Sequence, residues 1–438
     1  MTIATQQHPS RLTQAQLDEI VELHNRFMQG RMGGRRAVLK KTDLSGLSLK
    51  ECDLRQADFS GCDMQRMDLS GANFREASLY GCDLSNANLN KTNFVRSDLR
   101  GARIESANLA GANLDNADLR AGGLSTDGSF GQGQNVNFRG ANLAGARLSG
   151  SLAASADFSD AIMAKVNLTG ADLRGAKFEG ADLTEAEIKG AQLFGANLKS
   201  TILTGVGISD ISGSGADLTG AITDENVGKP ISALDEPLAK LVKEHRNWVA
   251  TVGKQGRQLD LSGFDLRILL SLAGERLTAV RSIGARYCGM DLTDIQMQSA
   301  VLDKSDFRSC FMRGSDFRGS SMRDVKMGHA DLRNADFRAL VFDNGDGTKR
   351  SSPCDLEGAN LRYTNCAGAR LNGALFKFAD LSYCDLTGCD ISSANLTGAI
   401  LDGAIFEGIT AKDAICDEDA PEALKKAIAQ ANAGTAAE

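Results

Sequence analysis

The chain has 438 residues, a net charge of −7, 5% aromatic residues and one tryptophan, Trp248. The acidic balance speaks against direct nucleic-acid binding, and no apolar run is long enough to span a bilayer. Ten cysteines without a CxxC spacing read as buried small apolar side chains in a reducing compartment, not as a disulfide or metal framework.

Residues 1–40 begin with MTIATQQHPSRL, which lacks a charged-then-apolar leader pattern. Leu17, Ile20, Val21 and Phe27 then fall at helical spacing and predict an amphipathic helix. From Leu44 to Leu124 the register changes to five. Large apolar residues recur at Leu54, Phe59, Met64, Leu69, Phe74 and onward. A small residue such as Ala57 or Cys62 sits two before each, with Asp or Asn usually between them. A period of five fits neither a helix nor a long strand, but it fits a three-residue strand followed by a turn. The large and small residues then face one side and the Asp or Asn the other. Spacings of twenty, as in Phe138, Phe158 and Phe178, predict four quintets per coil and a ladder of rings inside a square tube. The helix ahead of the first coil is expected to cover its open end, where backbone would otherwise stand unpaired.

In-phase runs of large residues lie at 44–124, 138–218, 292–342 and 356–406. The breaks from Leu124 to Phe138 and from Phe342 to Leu356 are each fourteen residues. Residues 125–137 (STDGSFGQGQNVN) and 343–355 (DNGDGTKRSSPCD) are therefore expected to leave the tube as loops. A second helix around Leu238–His245, with Trp248 three residues on, repeats the first, where Phe27 follows His24 by three. The expected organisation is a cap over 1–40, a β-helix over 41–224, a linker and second cap over 225–260, and a second β-helix over 261–412, ragged between Leu261 and Tyr287. An acidic tail over 413–438 ends in a helix that either caps the last coil or pairs two chains as a homodimer. The whole reads as a tandem duplication of one module.

Ala-Asn-Leu at 107–109 and 141–143, and Ala-Asp-Leu at 171–173 and 330–332, resemble the A(D/N)LXX consensus of the pentapeptide-repeat family. The resemblance implies an all-β solenoid, a right-handed quadrilateral β-helix. Here it would form two tandem modules, each with an N-terminal helical cap and one projecting loop. It also implies a bacterial source, while the N-terminal pattern, the lack of a spanning run and the cysteines give the cytoplasm as the expected place. Some members of that family imitate duplex DNA and protect type II topoisomerases, DNA gyrase or topoisomerase IV.

No nucleophile elbow, phosphate loop or HExxH occurs, and the recurrent Asp residues have a repeat position to explain them. No catalytic residue, cofactor or metal site is expected. The two loops are the candidate partner-binding elements, against a reading of them as tolerated insertions. The first offers Asp127, Phe130 and Gln134, with Phe130 expected exposed at the tip; the second offers Asp343, Asp346, Lys349 and Arg350. Arg308, Arg313, Arg318, Arg323, Arg333 and Arg338 fill six of seven consecutive positions just after the large residue. They form either a basic face for an acidic partner or local pairs with Asp306, Asp316, Asp331 and Asp336, and local pairing is preferred. The expected function is a non-catalytic, rod-like protein-binding module or scaffold. The alternative is a DNA-mimicking modulator of a type II topoisomerase, against which the mixed charge and double length stand.

Overall fold

The computed structural model describes residues 11–124, 130–207, 209, 211, 213–343 and 348–434. Two compact units divide the chain, Met1–Asn226 and Val227–Glu438.

Unit 1 opens with helix α1 (Gln14–Met28), started by a capping box in which Thr13 and Gln16 satisfy each other's backbone N–H. Its buried face is Leu17, Val21 and His24, and the two aliphatic residues join the core of the coils. His24 Nδ1 accepts the Ala37 N–H at 3.1 Å, which fixes the point where the chain turns from helix to coil. Gly34 permits that turn: a Cβ there would lie 2.6 Å from the Phe27 Cα.

From Val38 onward each coil face contributes one rung too short to be an extended strand. Val38 bridges Asp58, Asp43 bridges Asp63, and the parallel series continues at a separation of twenty. Each outward residue makes both of its bonds to the coil before, donating its N–H to one residue and accepting from another two places on, as Asp63 donates to Thr42 and accepts from Leu44. The large and small residues flanking it point inward: Leu54, Ala57, Phe59 and Cys62 are all buried. Stacked pairs fill the interior, with Phe138–Phe158 at 4.9 Å and Phe158–Phe178 at 5.1 Å between ring centroids. Corners are closed by an N–H to C=O bond across three residues, such as Cys62 to Phe59 at 3.0 Å. The residue before the donor is left-handed, Gly61 at φ 72°, which is why glycine is frequent there. Asp and Asn recur at the outward position because their Oδ1 accepts the N–H two residues on, as Asp63 accepts from Gln65 at 3.0 Å.

The bridge separation jumps to thirty-four between Arg103↔Asn137 and Asp118↔Leu152, then returns to twenty. The extra residues form an antiparallel hairpin of β1 (Gly122–Leu124) and β2 (Phe130–Gln134). In unit 2, β3 (Lys229–Pro230) pairs in parallel with β4 (Phe264–Asp265), on either side of helix α2 (Leu238–Ala250). α2 buries Leu241 and His245, and His245 Nδ1 accepts the Leu259 N–H at 3.1 Å. Coils begin at once: Asp260 bridges Arg281 and Asp265 bridges Arg286, both at twenty-one. The raggedness of 261–287 is one extra residue, absorbed at a 3-10 turn over Arg267–Leu269 and a left-handed Leu270. A second hairpin, β5 (Leu340–Asp343) with β6 (Lys349–Ser352), again raises the separation to thirty-four. Helix α3 (Glu422–Gly434) follows the last coil. Its Leu424 is buried in the unit's own core, with Ala427 and Ile428 packed against it, so this apolar stripe is occupied within the unit.

Both buried histidines act as acceptors at Nδ1, and burial lowers their pKa below the ordinary imidazole value. The unfolded chain takes up these protons near pH 6.5, while the folded chain resists them. Stability present above that pH is therefore lost below it, by up to about 1.4 kcal/mol per pH unit for each histidine. Urea midpoints should fall between pH 7.5 and 5.5 (roughly the window set by a histidine). The fall should shrink in the His24→Leu/His245→Leu variant.

Candidate interaction surfaces

Two kinds of surface are built on the coils, the hairpins and the charged columns. Each hairpin is seated by a glycine about one coil earlier. At Gly101 a side chain would collide with the Gly122 carbonyl, and at Gly319 it would lie 2.8 Å from Leu340 Cβ. These two glycines are 218 residues apart, as are Gly122 and Leu340. Near the first seat, Arg100 lies over the Tyr80 ring at 5.2 Å.

The hairpin strands start three residues earlier than the five-residue register indicated. Leu124 and Phe342 keep that register but belong to β1 and β5, so Phe342 is not an inward residue: it is 43% exposed, beside Val341 at 57%. Phe130 opens β2 opposite Leu124 and is not at the hairpin tip. Gln134 is exposed at the end of β2, opposite Gly122. Asp343 faces Lys349 and Phe342 faces Arg350 across the second hairpin, all exposed. Asp127 and Asp346 lie outside the described residues. Val341 and Phe342 were hidden in the sequence by the very periodicity that exposed the rest. The glycine pair one coil below was the signal that could have moved the boundary.

The arginine series is drawn into ion pairs with repeat carboxylates. Arg308, Arg318 and Arg338 each clasp the Asp two residues before, at 2.6, 2.7 and 2.7 Å. Arg333 holds Asp331 at 2.5 Å, to which Arg313 approaches within 4.0 Å. Arg323 reaches Asp355 at 2.6 Å, in the next coil. The same clasp occurs in unit 1 at Asp98 with Arg100 and Asp118 with Arg120, because an outward Asp already turned toward the N–H two residues on presents its second oxygen to an arginine there. Exposure separates the members. Arg308 is 10% exposed and Asp306 is fully buried, whereas Arg313 and Arg323 stand half in solvent. Burial pushes the Asp306 carboxyl up, but the adjoining Arg308 outweighs it and holds it at about 2. Lys349 and Arg350 of β6 are different: among the described residues neither has a carboxylate partner, while Arg362 and Arg370, in the coils that follow, are paired.

All ten cysteines are free thiols, most of them buried in the coils. Among the described residues no group of His, Cys, Asp and Glu could hold a metal ion, and no helix is long and apolar enough to cross a membrane.

The family model described as pentapeptide repeats matches residues 37–120, 134–199, 300–338 and 354–416, more than half of the chain. The search of curated proteins finds no match. Among solved structures, a trypsin-treated QnrB1, a plasmid-mediated fluoroquinolone resistance protein, is 22% identical with a TM-score of 0.31, covering 48% of this chain and 97% of its own. HetL, a pentapeptide repeat protein involved in heterocyst differentiation regulation from the cyanobacterium Nostoc, is 18% identical with a TM-score of 0.17, covering 89% and 94%. Rfr23 from the cyanobacterium Cyanothece is 30% identical with a TM-score of 0.18, covering 28% and 88%.

Proposed function

Because the chain belongs to the pentapeptide-repeat family, whose members form right-handed β-helices, we propose that it is a non-catalytic scaffold that binds protein partners through its two hairpins. The observation that carries this reading is the contrast within unit 2. The coil arginines are neutralised by repeat carboxylates, whereas the second hairpin presents Val341, Phe342, Lys349 and Arg350 to solvent. A rigid frame holding such an element in place binds at low ordering cost, and an exposed aromatic beside an arginine is the composition of an interface anchor. In this reading the chain is a duplicated module, each copy made of a helical cap, coils, a hairpin and further coils. The twin histidine contacts at Ala37 and Leu259 support it, as do the twin seats at Gly101 and Gly319. Ten free thiols suit a reducing cytoplasm.

The test removes fourteen residues, 340–353, which restores the twenty-residue separation between Ser321 and Asp355. The circular dichroism spectrum and melting midpoint should barely change. Proteins captured from bacterial lysate by the intact chain, and identified by mass spectrometry, should be lost. Undiminished capture would exclude the second hairpin as the contact. Enrichment of gyrase or topoisomerase IV subunits would turn the scaffold reading into a topoisomerase modulator.

A further inference from the structure

Within unit 2 a large residue's N–H normally finds a carbonyl nineteen residues on: Leu381 donates to Ile400 at 2.8 Å and Leu386 to Ile405 at 3.0 Å. After the last coil that supply ends, and side chains replace it at two corners. Asp417 Oδ2 accepts the Gly398 N–H at 2.5 Å, and Asn432 Oδ1, from α3, accepts the Asp413 N–H at 2.9 Å. The rung Ala399–Leu401 receives no replacement. Among the described residues nothing donates to the Ala399 carbonyl and nothing accepts from the Leu401 N–H. The two groups flank Ile400, which is 49% exposed. They border a groove of 510 Å³ whose lining includes Ile400, Leu401, Asp402, Asp417, Asp419 and Pro421. Lys425 is paired with Glu422, and Arg362 with Asp380; among the described residues Asp402, Asp417 and Asp419 have no cationic partner.

We infer that this open rung is a docking slot for an extended, basic peptide segment of a partner protein. One residue lying parallel to Ile400 makes both missing bonds. It donates to Ala399 and accepts from Leu401, as Ile400 itself does with Ala379 and Leu381 one coil below. The free edge selects an extended chain, and the carboxylates select cationic side chains, with Ile400 and Pro421 available to alternate apolar ones. The slot shares no residue with either hairpin, so its failure and theirs are distinguishable.

The probe is a short fluorescent peptide of alternating lysine and valine, titrated against the full chain and read by anisotropy. Saturable binding is expected, weaker by at least about tenfold in the Asp402→Lys/Asp419→Lys variant. Two peptides N-methylated at alternate amides, in opposite registers, keep the charge but lose donors; one of them should no longer bind. Equal binding of both methylated peptides would overturn strand addition, a result read on the unaltered chain. Equal binding to the variant would mean diffuse attraction to an acidic protein, and no saturable binding would end the proposal outright. Concentration-dependent dimers in sedimentation, lost in the same variant, would assign the slot to a second copy and overturn the peptide.

Discussion

Replacing Phe158 with alanine is expected to destabilise unit 1 by about 3–5 kcal/mol, read as a fall in the urea midpoint of the full chain. Its ring lies nearly parallel to both neighbours, at 9° to Phe138 and 7° to Phe178, and is fully buried. A void of one ring cannot be closed by moving those neighbours together. Each coil is held at its distance by the backbone ladder, Phe138 donating to Asp157 and Phe158 to Lys177, both at 2.7 Å. In a stack where each coil touches only the next, a weak layer also uncouples what lies on either side. The unfolding transition should broaden as well as shift. Phe158→Leu keeps more of the volume and should recover a large part of the loss. A midpoint unchanged by the alanine would mean that the interior is not a fixed stack.

Asp306→Asn should cost unit 2 about 3–5 kcal/mol, although most of its sister Asp residues tolerate the same change. Arg308 Nε lies 2.9 Å from Asp306 Oδ1 and its terminal nitrogen 2.6 Å from Oδ2, in a site that excludes solvent from the carboxylate. Removing the negative charge takes the two-pronged carboxylate away from a buried guanidinium. The matching control is Asp172→Asn. Arg174 there is 58% exposed, water takes over from the carboxylate, and the midpoint should stay within error. Replacing both Asp306 and Arg308 by apolar residues should return most of the stability, since the penalty lies in the buried positive charge that remains and not in the lost pair. Equal effects at Asp306 and Asp172 would refute the distinction.

The coils were legible because five-residue periodicity is written directly in side-chain size. Inward positions such as Leu54 and Ala57 admit only apolar side chains of the right volume, and corners such as Gly61 favour glycine. The fourteen-residue phase slip likewise marked both excursions. What periodicity could not convey was where each excursion starts. Leu124 and Phe342 continue the count of five while their backbones have already left the rung. Only the steric demand of the coil beneath, met by Gly101 and Gly319, separates a strand that turns outward from another coil face.

Charge was legible in part for a related reason. An Asp two residues before an Arg predicts the pair, since both sit on the outer side of one rung. It does not predict burial. Asp306 and Asp331 look alike in sequence, yet the first is covered and the second keeps 16% of its side chain exposed. The pKa of Lys326, whose rung lies against that of Asp306, is lowered by burial. That difference comes from residues a whole coil away. The open rung at Ala399–Leu401 was less visible still. It depends on the fold of the tail, which brings Asp417 and Asn432 to two corners and leaves this face bare.

Trp248 stacks on His245 at 5.9 Å, and the latter is hydrogen-bonded to the first coil of its unit. As the only tryptophan in the chain, it makes the protein self-labelled. With excitation beyond the absorption of Tyr80, its emission follows the seating of α2 in unit 2 while unit 1 stays dark. Fluorescence and circular dichroism recorded on one sample therefore separate the melting of the two halves without a truncation or a dye, and protonation of a single ring can be watched optically as it loosens the helix.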